Sequence, residues 1–163
     1  MEMDKWKKRT SLLVGEKGIK KLKNATVLVI GLGGVGAYAA EQLCRAGIGK
    51  MTIVDGDAVE ETNRNRQLPA LISNEGKPKA EVLAQRFLDI NSKLKLTVIN
   101  EYLKDERMLE VIHSDDFDYV VDAIDTLSPK TFLIYHCVQK GVPVVSSMGA
   151  GGKFDPSKVS VAD

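Results

Sequence analysis

A glycine-rich segment between an apolar strand and a helix constrains this chain most strongly. Residues Ala25 to Ile30 form a continuous apolar, β-branched run, ATVLVI, and Gly31 to Gly36, GLGGVG, follow directly. Such a run is typical of a strand buried on both faces of a parallel sheet. Ala37 to Ala46 then read as a helix, which Gly47 and Gly49 end. This order predicts the first unit of a nucleotide-binding α/β fold.

The alternation of strands and helices continues to the end of the chain. It predicts a Rossmann-like α/β fold with a doubly wound, mainly parallel sheet. Ligands of such sheets bind outside the carboxyl ends of the strands. The further predicted strands are Met51 to Val54, Leu94 to Ile99, Tyr119 to Ala123 and Val142 to Ser147. The further predicted helices are Lys77 to Ile90, Glu106 to His113 and Pro129 to Lys140.

The glycine segment has the spacing of a phosphate-binding turn. Gly31, Gly33 and Gly36 fit G-x-G-x-x-G, and Gly34 removes one more side chain. Phosphate must come close to bare backbone N–H groups, and the following helix points its positive end at the anion. Asp55 ends the second strand, where a carboxylate suits ribose hydroxyls. The alternative is a structural glycine turn beside a solvated acid.

Charged and amide side chains after the second strand indicate a triphosphate. Asn63, Arg66 and Lys79 are expected at the same end of the sheet, where cations stabilise charge on transferring phosphoryl groups. Asp57 and Asp125 suit Mg²⁺, which takes a few carboxylates together with substrate phosphates. A dehydrogenase is disfavoured because 163 residues leave little room for a hydride-handling site. The alternative for the basic residues is a solvated loop and helix face.

The composition of the chain excludes several classes of protein. The net charge of +1 means that any nucleic-acid contact must come from a local basic patch. Cys44 and Cys137 are too few for a disulfide framework and form no paired-cysteine zinc motif. Residues 1–9 lack the apolar core of a signal peptide, and no apolar run approaches the roughly 20 residues that span a bilayer. We expect a cytoplasmic protein without a membrane segment.

Several motifs occurring in order carry a family resemblance. The chain resembles the HesA/MoeB/ThiF superfamily, the bacterial relatives of ubiquitin-activating enzymes, from about residue 9 to its end. The matching segments are Arg9-Thr10 with Leu13 to Glu16, Gly31 to Gly36, Val54 to Asp57, Asn63 to Gln67, Lys77 to Ala80 and Asp122 to Asp125.

The resemblance implies an ATP site with defined residues. Lys79 is implied to contact phosphate and the reacting carboxylate, and Asp125 to lie near Mg²⁺ and the adenylate. Arg9 resembles the arginine that reaches into the partner subunit's phosphate site, which implies a homodimer. These three residues and Arg66 are the implied catalytic set. The implied nucleotide-binding set is Gly31, Gly33, Gly34, Gly36, Asp55, Asp57, Asn63, Arg66, Lys79, Asp125 and Thr126.

Two segments point to one branch of the superfamily. Asp122 to Lys130, and Ser146 to Gly152 followed by Asp155-Pro156, look like the tRNA threonylcarbamoyladenosine dehydratase versions. The implied activity is ATP-dependent: the carboxylate of N6-threonylcarbamoyladenosine, beside the tRNA anticodon, is adenylated and cyclised, with release of pyrophosphate and AMP. The branches that activate sulfur carriers usually have two C-x-x-C zinc pairs, and these residues contain none.

Two other functions stay open at this point. The chain resembles adenylyltransferases that activate the C-terminal glycine of a ubiquitin-like sulfur carrier, with a cysteine desulfurase or sulfur-acceptor protein as a further partner. A non-catalytic nucleotide-binding domain would need only the glycine turn and Asp55. A monovalent cation in the Gly149 to Gly152 loop is also left open. We expect one adenylation domain over 1–163, with a helical arm at 1–24 and the core at 25–163, truncated relative to the family's usual length.

Overall fold

The computed structural model describes residues 4–149 and 151–162. Five strands form one parallel sheet in the order β3-β2-β1-β4-β5. This confirms the predicted α/β class. The strands are β1 Thr26–Ile30, β2 Lys50–Val54, β3 Lys95–Ile99, β4 Tyr119–Asp122 and β5 Val144–Ser146, and the helices are α1 Lys8–Asn24, α2 Gly36–Ala46, α3 Lys79–Ile90, α4 Asp105–His113 and α5 Leu127–Lys140.

The core has two layers because helices cover both faces of the sheet. One apolar cluster joins β1 and β2 to α2 and α3, with Phe87 fully buried. The other joins β1 and β4 to α4 and α5, with Leu133 fully buried. The central strand β1 alternates between the clusters: Val29 belongs to the first and Leu28 to the second. This two-sided burial explains the continuous apolar run in the sequence.

Each predicted strand and helix is present, and the differences lie at their ends. The helix expected from Lys77 begins at Lys79, because Pro78 has extended backbone angles and precedes the first helical turn. The helix expected from Pro129 begins two residues earlier, at Leu127, so that Pro129 lies in its first turn, where no N–H is needed. The last strand is only Val144–Ser146 rather than Val142 to Ser147.

Helix α1 differs from the other helices because it has no buried side chain. Gly15 breaks it with non-helical angles, φ 69° and ψ 175°. The division into an arm at 1–24 and a core at 25–163 stays a prediction, and Met1 to Met3 lie outside the described residues. Among the helices that the structure describes, none has the length and apolar character needed to cross a bilayer.

Candidate functional site

The glycine turn is packed against the end of β4. Gly31 has a left-handed φ of 88°, and a Cβ on it would lie 2.6 Å from the carbonyl oxygen of Ala123. A Cβ on Gly36 would lie 1.8 Å from the Gly31 oxygen. Both positions therefore exclude any larger residue. The Ala123 N–H also donates to the Ile30 oxygen at 2.8 Å, which fixes the turn after β4 beside the glycine turn.

The middle of the glycine turn is open. A Cβ on Gly33 or Gly34 would meet only ordinary contacts, the nearest being Gln67 Nε2 at 3.7 Å and Arg66 Cγ at 3.5 Å respectively. Within the described part of the chain, the N–H groups of Gly33 and Gly34 donate no hydrogen bond. Because α2 begins at Gly36, these bare N–H groups lie at a helix N-terminus, which attracts anions.

Asp55 ties the end of β2 to this turn. Its Oδ2 accepts the Leu32 N–H at 2.6 Å, and its Oδ1 accepts the Asp57 N–H at 2.8 Å. Burial raises the pKa of Asp55 above its ordinary value even though these hydrogen bonds and Lys79 oppose the shift. Each carboxylate oxygen has a second lone pair. The residue can therefore hold the turn and still accept ribose hydroxyls.

Asp57 forms an ion pair with Lys79. Asp57 Oδ2 lies 2.6 Å from Lys79 Nζ, and the Lys79 N–H donates to the Asp57 backbone oxygen at 3.0 Å. Lys79 is only 3% exposed, although it begins α3. The hydroxyl of Tyr102 donates to the other oxygen of Asp57. Both predicted residues thus lie together, and Asp57 serves as the counter-ion of Lys79.

Asn63 and Arg66, the two predicted phosphate-binding residues in the loop after β2, differ in burial. Asn63 is buried, and its Oδ1 accepts the Glu60 N–H at 3.2 Å within a capping box, so its amide oxygen shapes the loop. Arg66 is exposed beside Gly34, and its guanidinium donates to the Thr62 oxygen at 3.2 Å. Arg66 therefore presents positive charge at the open part of the glycine turn.

Gln67 completes this side of the turn. Its Oε1 is buried and has no hydrogen-bond partner among the residues that the structure describes. Its Nε2 faces Gly33. A buried polar atom without a partner costs free energy unless a ligand or water satisfies it. The orphaned oxygen therefore favours a polar ligand at this place.

A second buried lysine lies at the end of β4. Lys130 Nζ contacts Asp122 Oδ2 at 2.6 Å, Ser146 Oγ at 3.1 Å and the Ser147 oxygen at 3.0 Å. Asp122 is fully buried, and it also accepts the Ser146 hydroxyl at 2.5 Å and the Ile124 N–H at 3.0 Å. This cluster joins β4, α5 and β5. It fixes both ends of the turn that carries Asp125.

Asp125 and Thr126 lie in that turn, between β4 and α5, and both are exposed. Thr126 occupies the position before the first turn of α5, without a side-chain capping bond. Because Ala123 packs on the glycine turn, the structure brings Asp125 and Thr126 to the same edge of the sheet as Asp55 and Lys79. Asp125 is therefore free to meet a ligand.

Arg9 lies far from the other predicted site residues. The N-terminal arm lies at the opposite end of the sheet, where Lys7 packs against Gly47 and Asp4 pairs with Lys93 at 2.6 Å. Arg9 is exposed on α1, and no hydrogen bond or ion pair joins it to the other described residues. A role for Arg9 in the site of the same chain has no geometric support.

The geometry thus joins a bare glycine turn, the carboxylates of Asp55 and Asp125, and the cations of Arg66 and Lys79 at one edge of a parallel sheet. The model of the ThiF family matches residues 7–160, nearly the whole chain. The chain belongs to the ThiF family. Among ThiF relatives, the tRNA threonylcarbamoyladenosine dehydratase of Bacillus subtilis (strain 168) is 42% identical over 155 residues, which are 95% of this chain and 61% of that protein.

Two further relatives are a dehydratase solved with ATP and an enzyme named for a different activity. The crystal structure of the Escherichia coli dehydratase TcdA in complex with ATP has a TM-score of 0.94 and 41% identity, covering all of this chain and 68% of that one. The adenylyltransferase and sulfurtransferase MOCS3 of Dictyostelium discoideum is 36% identical over 82% of this chain and 31% of that protein. The chain spans about three fifths of the length of the Bacillus subtilis and Escherichia coli dehydratases that it matches.

Three features of the ThiF site were not assigned roles from sequence. Tyr102 follows β3 in an otherwise unremarkable loop, and its contact with Asp57 depends on folding. Asp122 and Lys130 are the first and last residues of the Asp122 to Lys130 segment, and a spacing of eight residues does not predict their ion pair. Gln67 ended the Asn63 to Gln67 motif, which was the available signal. The predicted Gly149 to Gly152 loop includes Ala150, which lies outside the described residues.

Proposed function

We propose that this chain is the ATP-binding part of a tRNA threonylcarbamoyladenosine dehydratase. It adenylates the carboxylate of N6-threonylcarbamoyladenosine in tRNA and cyclises it, and releases pyrophosphate and AMP. The observation that carries the proposal is the open glycine turn, with Arg66 beside it and Lys79 and Asp125 at the same edge, in a chain 41% identical to an ATP-bound dehydratase.

The chemistry requires charge stabilisation more than covalent catalysis. A carboxylate oxygen attacks the α-phosphorus of ATP, the bond to the β-phosphate oxygen breaks, and pyrophosphate leaves. A nitrogen of the same substrate group then attacks the activated carbonyl, loses its proton, and expels AMP. The second attack is intramolecular, so no enzymic nucleophile is needed. The protein positions the reactants and stabilises phosphate charge, for which Lys79 and Arg66 are suited.

Mg²⁺ fits the donor set at this edge. Among the described residues, no cluster of three or more His, Cys, Asp or Glu side chains forms a ready-made metal site. Mg²⁺ characteristically takes one or two carboxylates and completes its shell with phosphates and water. Asp125 is exposed and would hold the ion, whereas the oxygens of Asp57 are engaged by Lys79 and Tyr102. The ion would neutralise phosphate charge. We also propose a monovalent cation near the Gly149 to Gly152 loop.

The partners follow from the same proposal. The modified tRNA brings the reacting carboxylate, and exposed lysines of the N-terminal region provide phosphate contacts whose strength falls with salt. A homodimer would bring Arg9 of one subunit to the phosphates bound by the other, which accounts for its distance from the site of its own chain. We place the protein in the cytoplasm, where its tRNA substrate would be found.

The second candidate is activation of a sulfur-carrier protein. The 36% identity to MOCS3, named as an adenylyltransferase and sulfurtransferase, favours it, and a cysteine desulfurase or sulfur-acceptor protein would then be a partner. The cysteines of this chain do not support a thiol step. Cys44 and Cys137 are fully buried, and burial raises the pKa of each thiol to about 11. Each is thus protonated and inaccessible at neutral pH.

The experiment measures AMP release from ATP by this protein. Transfer RNA with the threonylcarbamoyl modification is compared with the same tRNA lacking it. We expect AMP only with the modified tRNA, together with loss of one water from the nucleoside mass. AMP formation with a ubiquitin-like carrier and none with tRNA would support the second candidate. An Asp125→Ala protein serves as control: it should fold normally and release no AMP.

A further inference from the structure

Tyr102 lies outside the predicted site, yet it touches the Lys79 counter-ion. It follows β3 in the loop that leads to α4, and its hydroxyl donates to Asp57 Oδ1. The other oxygen of Asp57 accepts from Lys79 Nζ at 2.6 Å. One carboxylate therefore links a phenol on one side to a buried ammonium on the other.

The fold holds Tyr102 in this place. A Cβ on Gly56 would lie 2.7 Å from the Tyr102 ring and 2.8 Å from its backbone nitrogen. Residue 56 must therefore be glycine for the ring to reach the loop after β2. Tyr102 is 69% exposed, so burial of its ring contributes little to the fold. The defined feature of this side chain is its hydroxyl contact.

The charge states suit a hydrogen bond from Tyr102 to an ionised carboxylate. Burial alone would raise the pKa of Asp57, but hydrogen bonds from Lys79 and Tyr102 together lower it below its ordinary value. The same bond to Asp57 raises the pKa of Tyr102 to about 12. At neutral pH, Asp57 is therefore charged and Tyr102 keeps its proton. Hydrogen bonds to charged groups are among the stronger ones in proteins.

The ion pair between Asp57 and Lys79 must weaken when Lys79 binds a phosphate. A lysine ammonium has three donors, and in the described structure Lys79 Nζ uses one, to Asp57. The two remaining donors can reach a phosphate, but the phosphate and Asp57 repel each other, so phosphate binding draws Lys79 away from the carboxylate. The carboxylate then loses its strongest partner while it stays half-buried, with a side chain 47% exposed. A second donor that stays on Asp57 lowers the free-energy cost of that exchange.

We propose that Tyr102 is a positioning residue for ATP binding: its hydroxyl holds Asp57 while Lys79 exchanges this carboxylate for a phosphate of ATP. This inference rests on the proposed function for the presence of ATP. Without the hydroxyl, Asp57 competes more strongly for Lys79 before binding and lacks a donor after it. Both effects weaken ATP binding.

The test removes only the hydroxyl. Tyr102→Phe keeps the ring over Gly56, and we expect its Kd for MgATP to rise about tenfold, the size of one hydrogen bond to a charged group. The rate of AMP formation at saturating ATP should change less than about twofold, because Lys79 then already contacts phosphate. Tyr135→Phe, an exposed tyrosine on α5, is the matched control and should keep the wild-type Kd.

A double-mutant cycle assigns the effect to Asp57. In an Asp57→Asn background the charge is absent, so adding Tyr102→Phe should change the Kd less than about twofold. The thermal unfolding midpoint of each variant separates a folding defect from a binding defect. We expect the Tyr102→Phe midpoint to equal that of the wild type.

The outcomes distinguish this inference from the function on which it rests. If the wild-type chain binds no MgATP, both are wrong. If the wild type binds MgATP and Tyr102→Phe has the same Kd, the positioning role is wrong and the proposed function stands. If the tenfold loss persists in the Asp57→Asn background, Tyr102 acts on ATP by another route, and the inference is also wrong.

Discussion

Two buried lysines at the same edge of the sheet differ in how their ammonium groups are satisfied. Lys79 and Lys130 are 3% and 5% exposed, and each pairs with an aspartate at 2.6 Å, Lys79 with Asp57 in the loop after β2 and Lys130 with Asp122 at the end of β4. Lys130 has three acceptors, Asp122, Ser146 and the Ser147 oxygen, and Asp122 is fully buried. Lys79 has one acceptor in the described structure, and the side chain of that partner is 47% exposed.

The difference separates a structural lysine from an exchangeable one. An ammonium with three donors is saturated by three acceptors, so Lys130 has nothing left to offer a ligand. Lys79 keeps donor capacity, and its partner can be solvated when the pair opens. The lysine on α5 therefore holds β4, α5 and β5 together, whereas the lysine on α3 is available to phosphate. Four variants test this contrast.

The largest expected effect is on the stability of the Lys130→Met protein. Removing Lys130 leaves the Asp122 carboxylate buried without its cation, so the free energy of unfolding should fall by about 3–5 kcal/mol. Chemical denaturation measures it. Adding Asp122→Asn removes the uncompensated charge and should restore part of the loss. A Lys130→Met protein as stable as the wild type would show that the cluster is not structural.

Lys79→Met should show the opposite profile. We expect the rate of AMP formation to fall about 10²- to 10³-fold, since one group that stabilises transition-state charge is lost. The free energy of unfolding should change by less than about 1 kcal/mol, because Asp57 is half exposed and keeps Tyr102. Rates and denaturation curves are compared on the same preparations. Equal losses of activity and stability would remove the distinction between the two lysines.

Ser146→Ala is a smaller change within the structural cluster. It removes one donor to the buried Asp122 carboxylate and one acceptor from Lys130, and should lower the free energy of unfolding by about 1.5 kcal/mol. Ser92→Ala, at an exposed serine in the turn after α3, is the control and should have no effect. An unchanged stability for Ser146→Ala would mean that water replaces the hydroxyl, and that the cluster is less closed than its contacts indicate.

The smallest expected effect is a shift in pH dependence. Asp57 faces Lys79 and Tyr102, with Asp55 two residues away, and its pKa lies below the ordinary value. The charged form is therefore present above the folded-state pKa, and the Lys79 ion pair is lost as pH falls through it. Tyr102→Phe removes one contact that lowers the pKa of Asp57, so the Asp57 carboxyl should titrate at higher pH in the variant, as followed by the ¹³C chemical shift of its carboxyl carbon. An unshifted titration would separate Tyr102 from Asp57.

The fold was predictable because local pattern and global structure agree. The run Ala25 to Ile30 reads as apolar since β1 is covered on both faces, and the glycines follow because Gly31 and Gly36 have no room for a Cβ. Asp55 was predictable from its place at the end of β2. The ends of α3 and α5 were predicted less well, because Pro78 and Pro129 each occupy a different position relative to the first turn.

The contacts that distinguish the two lysines were not predictable from sequence. Asp122 and Lys130 lie eight residues apart, and Ser146 lies 16 residues after Lys130, so only the packing of α5 on β4 and β5 brings them together. Tyr102 and Asp57 are 45 residues apart, and their contact needs the space that Gly56 leaves. Arg9 was predicted from resemblance alone, and a single chain contains no geometry that supports its role.

The contrast between the lysines is tested most directly by following both ammonium groups by NMR in the intact chain with ¹⁵N-labelled lysine. The Nζ signals are assigned with conservative Lys79→Arg and Lys130→Arg proteins, and saturating MgATP is then added. We expect the Lys79 signal to shift as its partner changes from carboxylate to phosphate, while the Lys130 signal keeps its position. A Lys79 signal unmoved by bound ATP, or equal shifts of both signals, would contradict the distinction between an exchangeable and a structural lysine.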